Sequence, residues 1–186
     1  MMFFLSNCRE AKNLPTVAFT LEEKEFIPEG ITYDPVTEQF FVSSIGKEKI
    51  VAISGKEKVS DFIASGQDSI MQTLGMKVDA DKRRLWVVSN KRINEVTYSA
   101  VHVYNIDTHE LIKKIVSKST EIQLFNDIVL TKKGDAFITD SFNSKIYRVG
   151  SEETDFELIA GPDSMLQGVN GIAVSPDDRI LYPLDK

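Results

Sequence analysis

A short phrase recurs four times along this chain: Glu29-Gly30-Ile31-Thr32-Tyr33-Asp34, Leu74-Gly75-Met76-Lys77-Val78-Asp79, Asn126-Asp127-Ile128-Val129-Leu130-Thr131 and Asn170-Gly171-Ile172-Ala173-Val174-Ser175. Each copy runs into a polar turn and then a second apolar run: Phe40-Phe41-Val42, Leu85-Trp86-Val87-Val88, Ala136-Phe137-Ile138 and Ile180-Leu181-Tyr182. The copies start at 29, 74, 126 and 170, so the steps are 45, 52 and 44 residues. A repeat of about 40–50 residues with several strands per unit predicts the blades of a propeller. Equivalent positions of successive blades converge on one axis. Three copies open with an oxygen-bearing side chain there: Glu29, Asn126 and Asn170.

The segments between the phrases read as strands. The first unit has Gly30 to Tyr33, Gln39 to Ser44, Ile50 to Ile53 and Val59 to Ile63, separated by turns at Pro35 to Glu38 and Gly46 to Lys49. That is one four-stranded meander, the size of a blade. The second unit has Met76 to Val78, Leu85 to Ser89, a longer loop, Ala100 to Asn105 and Leu111 to Val116. The third has Ile128 to Leu130, Ala136 to Thr139, Ser144 to Val149 and Phe156 to Ile159. Helical periodicity is absent apart from a single turn near Ser69 to Leu74. The expected fold is therefore all-β: a propeller of four-stranded blades over residues 25–186, about three and a half blades of an expected six.

The fourth unit holds its first strand, the turn Pro176-Asp177-Asp178 and Ile180-Leu181-Tyr182; Pro183 then stands where the other copies continue their strand. Pro is disfavoured inside a central strand. Thr16-Val17-Ala18-Phe19, within an N-terminal segment over residues 1–24, reads as an outer strand. A ring of this length does not close and leaves exposed edges. Three explanations compete: a truncated piece of a longer protein, a fragment completed by a second chain, or a short self-closed oligomer.

Composition limits the functions. At 42% hydrophobic the chain can bury a substantial core, and its formal net charge of −6 argues against nucleic acid, which is bound through basic patches. The cluster Lys82-Arg83-Arg84 falls in a turn and reads as a solvated hairpin tip. No apolar stretch approaches the roughly 20 residues of a transmembrane span. Met1 to Cys8 is too short for a full signal peptide, yet Leu5-Ser6-Asn7-Cys8 resembles the tail of a bacterial lipoprotein signal; the alternative is a start region with an idle thiol. One Cys forms no internal disulfide, so the compartment is unread: periplasmic or lipid-anchored on the first reading of the N-terminus, cytoplasmic on the second.

Glu29, Asn126 and Asn170 each sit just before an innermost strand, so all three are expected at one mouth of the central channel. A carboxylate with two amide carbonyls is a set of hard oxygen donors. It suits Ca²⁺, which takes about 6–8 oxygens in flexible geometry, better than Zn²⁺. Each residue also has a plainer reading: Asn170-Gly171 as a turn dipeptide, Asn126-Asp127 as a loop cap, Glu29 as surface.

Phe125 to Leu130 followed by Gly134 to Asp140, and Val169 to Asp178, resemble the senescence marker protein, gluconolactonase and luciferin-regenerating enzyme family and the related paraoxonases; Pro28-Glu29-Gly30 resembles the opening blade motif of the same group. The resemblance covers nearly the whole chain after about residue 25. It implies a six-bladed propeller with one divalent cation, usually Ca²⁺, and Glu29, Asn126 and Asn170 match three of its ligands. A further ligand in the family is an Asp from a later blade, often also the general base, which this sequence ends before reaching. Asn90 stands at the apparent counterpart of a paraoxonase His. The implied chemistry is hydrolysis of a small-molecule lactone or ester, with the cation as Lewis acid and Asn90 and Asp127 orienting substrate. No catalytic residue is assigned. Ser43, Ser89 and Ser141 follow second strands without a nucleophile-elbow motif, and His102 and His109 read as structural or surface residues. Read so, the chain is expected to be an incomplete hydrolase with impaired activity, because loss of an anionic ligand weakens a Ca²⁺ site. The rival readings are a non-catalytic binding module, a fragment that completes itself with a partner chain, and a purely structural repeat fragment.

Overall fold

The computed structural model describes residues 17–55, 58–162 and 166–184. Three four-stranded antiparallel sheets follow one another as meanders. Blade 1 is β1 (Pro28–Asp34), β2 (Gln39–Ser44), β3 (Lys49–Ser54) and β4 (Lys58–Ile63). Blade 2 is β5 (Gln72–Asp79), β6 (Arg84–Ile93), β7 (Val96–Asn105) and β8 (Leu111–Ser119). Blade 3 is β9 (Phe125–Leu130), β10 (Ala136–Asp140), β11 (Lys145–Val149) and β12 (Glu157–Ala160). A two-stranded sheet, β13 (Gly171–Val174) and β14 (Leu181–Leu184), makes the half blade. This is an all-β propeller architecture of about three and a half blades.

The run Leu85-Trp86-Val87-Val88 explains why the blades stack. Side chains alternate across a strand. Leu85 and Val87 therefore join Phe41, Ile50, Phe62 and Tyr104 in the core between blades 1 and 2. Trp86 and Val88 turn the other way, onto Phe125, Ile128 and Ile138 between blades 2 and 3. All four are fully buried. A strand covered on both faces reads as a continuous apolar run rather than an alternating one, and each such side chain contributes about 1.5–3 kcal/mol of burial. Val129, Ile146 and Ile172 form the thinner core between blade 3 and the half blade.

The inner-strand ends are capped by the phrase itself. Asp34 accepts the backbone N–H groups of Val36 (3.1 Å) and Thr37 (3.3 Å) and the Thr37 hydroxyl (2.6 Å). Ser175, at the same phase of the fourth copy, accepts the N–H groups of Arg179 (3.1 Å) and Ile180 (3.0 Å). Arg83 then ties two turns together, donating to both oxygens of Asp34 (2.8 and 2.9 Å) and to Asp107 (2.9 Å). The cluster expected to be a solvated tip is thus an inter-turn clamp at Arg83. Burial of the Asp34 carboxyl would raise its pKa, but the hydrogen bonds from Arg83, Thr37 and Val36 prevail and hold it at about 2.

Four sequence expectations change. Residues 17–20 form no strand; Phe19 and Leu21 instead pack on Phe26, Val42, Val51 and Ile53 of blade 1. The loop expected after Ser89 is a hairpin, because β6 and β7 stay paired from Arg84↔Asn105 to Ile93↔Val96. The single helical turn lies at Gln67–Ser69, a little earlier than expected. Pro183 lies inside β14, opposite Ile172. Among the described residues β14 is bonded to β13 alone, and an edge strand tolerates a missing N–H. The Met1 to Cys8 segment lies outside the described residues.

Candidate functional site

Each full blade has a register shift at the start of its innermost strand: between Pro28 and Ile31, between Thr73 and Met76, and opposite Ile138 and Asp140. These fall on Glu29-Gly30, Leu74-Gly75 and Asn126-Asp127. The first three copies of the phrase thus each carry a β-bulge, a device that re-aims a side chain out of the regular pleat, whereas β13 of the fourth pairs without one.

Tight inter-blade packing explains the second position. A Cβ at Gly75 would lie 2.7 Å from the Asn126 carbonyl oxygen and 2.7 Å from Asp127 Cα. A Cβ at Gly30 would strike the Leu74 carbonyl in the same way. Backbone meets backbone there, so only glycine fits. Hydroxyls fasten the same seams. Ser43 accepts from Gly30 N–H (2.8 Å) and donates to the Leu74 carbonyl (2.7 Å). Thr139 does the same between Asp127 N–H (3.0 Å) and the Asn170 carbonyl (2.7 Å). Ser43 and Thr139 share a repeat phase, each one residue past the partner of the phrase's third residue (Val42 with Ile31, Ile138 with Ile128). That shared phase was the sequence signal for these fasteners, which the reading of the serines as non-nucleophiles did not use.

The outcome is one cavity of about 280 Å³ whose walls include Glu29, Asn126, Asp127 and Asn170, together with Gly30, Leu74 and Gly75. Its lining is mostly polar. Among the described residues no three His, Cys, Asp or Glu side chains gather into a cluster. The donors here are two carboxylates and two amides. Glu29 is exposed, and Asn126, Asp127 and Asn170 are half-buried. Among the described residues the side chains of Glu29, Asn126 and Asn170 have no hydrogen-bond partner, whereas Asp127 is committed. Its Oδ1 accepts Ile128 N–H (2.8 Å) and its Oδ2 accepts Ile172 N–H of the half blade (3.0 Å). Asp127 occupies the position filled by glycine in the other three copies and ties blade 3 to the strand that follows Asn170. Three uncommitted hard oxygen donors in one polar cavity fit a divalent cation of the Ca²⁺ type by donor chemistry.

Asn90 is placed elsewhere. It is buried, its Nδ2 donates to the Phe125 carbonyl (2.8 Å), and its Oδ1 accepts from Phe125 N–H (2.8 Å) and the Ser99 hydroxyl (2.7 Å). It is not among the walls of the cavity. Its amide clamps blade 2 to blade 3 through the strand that carries Asn126. His102 is fully buried in β7, 3.4 Å from the Ser89 hydroxyl through Nδ1, and burial, followed by the charge of Lys114, pushes its pKa down to about 3. It is a neutral core imidazole. His109 sits in the β7–β8 turn with its ring centroid 4.6 Å from that of Phe62.

A family model described as SMP-30/Gluconolactonase/LRE-like region matches residues 27–186. The chain belongs to that family. The solved structures that resemble it share the fold at low identity. Hydrazine synthase of Kuenenia stuttgartiensis matches with a TM-score of 0.69 at 18% identity, over 89% of this chain and 44% of that one. A chain of the nidogen/laminin complex matches at 0.68 and 18%, over 87% and 57%. A gluconolactonase of Xanthomonas campestris matches at 0.63 and 17%, over 87% and 55%. The chain thus spans about half the length of these structures. No curated protein sequence matches it.

Proposed function

We propose that this SMP-30/gluconolactonase/LRE-like chain carries the cation site of a Ca²⁺-dependent hydrolase acting on small-molecule lactones or esters. One observation supports the reading most: the first residue of the repeated phrase, which falls at a bulge in blades 1 and 3, supplies oxygen donors from blade 1, blade 3 and the half blade to a single cavity. Glu29, Asn126 and Asn170 would hold the ion, or another divalent cation with the same taste for oxygen. When bound, it supplies a Lewis acid for a carbonyl oxygen. Glu29 contributes the one full negative charge of the ligand set. Asn126 and Asn170 contribute carbonyl dipoles at fixed points, because Asn90 and Thr139 pin the backbones on either side of them. Asp127 is a positioning residue: its grip on Ile172 N–H fixes the strand entered from Asn170.

Calcium titration by calorimetry, paired with thermal unfolding, tests this. The unaltered protein should bind one Ca²⁺ with saturable heat and melt at higher temperature with the ion present. Glu29→Gln removes a ligand charge, which tunes Ca²⁺ affinity, and should weaken binding by about tenfold or more while leaving the ion-free melting temperature unchanged. Negligible heats for both proteins would remove the cation site.

A second reading has its own observation. The outer face of blade 1 exposes Ile31, Tyr33 and Phe40, where a propeller blade ordinarily packs against a neighbour. A binding module or a ring completed by a second chain would cover that face.

A further inference from the structure

Blade 2 departs from its neighbours in one respect. Its β6–β7 hairpin has ten residues per strand, against six in β2 and β3 and five in β10 and β11. The extension turns at Asn94 and Glu95, with φ of 48° and 66°, a two-residue turn of the type that matches strand twist. It leaves the blade at the end where Leu74 stands, the same end at which Glu29, Asn126 and Asn170 open their strands. Beside it runs the linker from blade 1 through Gln67–Ser69 to β5.

Between hairpin and linker lies a groove of about 500 Å³, within the roughly 300–1,000 Å³ of small-molecule sites. It is apart from the polar cavity and shares no wall residue with it. Its floor is apolar: Ile70, Met71, Ile93, Tyr98 and Val116. Ile93 and Val116 are 47% and 42% exposed. Its rim is basic, with Lys91, Lys114 and Lys118 against a single acid, Glu48. Lys91 is neutralised by Glu48, at 2.9 and 3.0 Å from its two oxygens. Lys114 donates to the backbone carbonyl of Asp68 (2.9 Å), and Lys118 lies 5.7 Å over the Tyr98 ring. Among the described residues neither Lys114 nor Lys118 has a carboxylate partner. Two ammonium groups without a carboxylate counter-charge thus occur beside an apolar floor on a chain of net charge −6. Lys114 also reaches the Ser69 carbonyl (3.5 Å), so its head is held by the linker, whereas Lys118 lays its stem on apolar surface and keeps its N–H donors open to an anion.

We propose that this groove binds a medium-chain aliphatic carboxylate, its head on Lys118 and its tail on Ile70, Ile93 and Val116, with Lys114, held on the Asp68 and Ser69 carbonyls, adding positive charge farther along the groove. Charge complementarity chooses the anion, and the apolar floor favours one that carries an aliphatic tail. The long hairpin preforms the site, so little ordering is needed on binding. This inference is independent of the cation reading, and its test uses the protein without added metal.

Calorimetry with decanoate, below its micellar range and at low salt, should give saturable binding at one site. Decyltrimethylammonium, with the same tail and opposite head, should give none. Lys118→Glu reverses the head contact and Ile93→Glu places a charge in the tail path; each should weaken decanoate binding by about tenfold, while Lys118→Arg retains it. Both altered side chains lie at the surface, and circular dichroism melts confirm folding before titration. Equal binding of both amphiphiles, no saturable binding of decanoate, affinity unmoved by both charge variants, or binding confined to polyglutamate or anionic phospholipid vesicles would each overturn the proposal.

Discussion

At the scale of single residues, burial decides chemistry more than identity does. His102 is an imidazole with no access to solvent, held neutral until about pH 3 in the folded chain. In the unfolded chain it takes its proton near 6.5. Between those values the unfolded state binds more protons. Its contribution is therefore complete above about pH 6.5 and is lost as pH falls toward 3. Over pH 7 to 5 this amounts to about 2 kcal/mol. Asp34 acts lower, between about pH 4 and 2, because its carboxyl is also depressed. The urea midpoint of the unaltered protein should drop from pH 7 to 5, and that of His102→Leu should stay nearly level. Parallel slopes in the two proteins would refute the assignment. Gly75 shows the same dependence on surroundings: the sequence displays a glycine in the phrase, and the reason for it, Asn126 and Asp127 backbone 2.7 Å from where a Cβ would stand, belongs to the next blade.

At the scale of elements, the seams matter more than the strands. Blades 1 and 3 fasten to their successors by a hydroxyl, Ser43 and Thr139, but blade 2 has Val88 at that phase and uses the Asn90 amide instead. Asn90→Ala would strand the N–H and carbonyl of Phe125, both buried. Each unsatisfied buried group costs about 1–3 kcal/mol, so stability should fall by about 2–4 kcal/mol in equilibrium urea unfolding. A loss under about 1 kcal/mol would show that Phe125 finds other partners. The sequence pointed to Asn90 through its resemblance to a paraoxonase position after a second strand, and the strand and its blade were legible there, but its length was not, since β6 runs on through Asn90 to Ile93. Nor was the direction of the side chain. It depends on β9 arriving within hydrogen-bonding distance, 35 residues later in the chain.

At the scale of the whole molecule, coverage is uneven. The central strand β6 of blade 2 is covered on both faces over Leu85 to Val88, but blade 1 shows Ile31, Tyr33 and Phe40 to solvent, and the half blade shows Tyr182 and Leu184. Apolar sheet faces and open edges of this kind recruit a neighbour. Sedimentation equilibrium should therefore find this chain in assemblies heavier than the monomer, with a shift toward monomer for Ile31→Glu combined with Tyr33→Glu. A monomer at every concentration up to the solubility limit would leave a ring completed by a second copy of this chain without support. The cation reading would stand, since its donors line a cavity within one chain.

Period and pattern along the chain were enough to determine that it is an all-β propeller with its blades in this order, because strand alternation and turn residues act over a few neighbours. They also picked out Glu29, Asn126 and Asn170, because a repeat places equal phases at equal radius from a common axis. Tertiary structure alone decided which polar groups remain free in the cavity and which are consumed in fastening blades. Asp127 and Asn90 are spent on backbone amides of the following blade, a matter of hydrogen-bonding distance between segments remote in sequence, while their neighbours Asn126 and Asn170 are left with open oxygens.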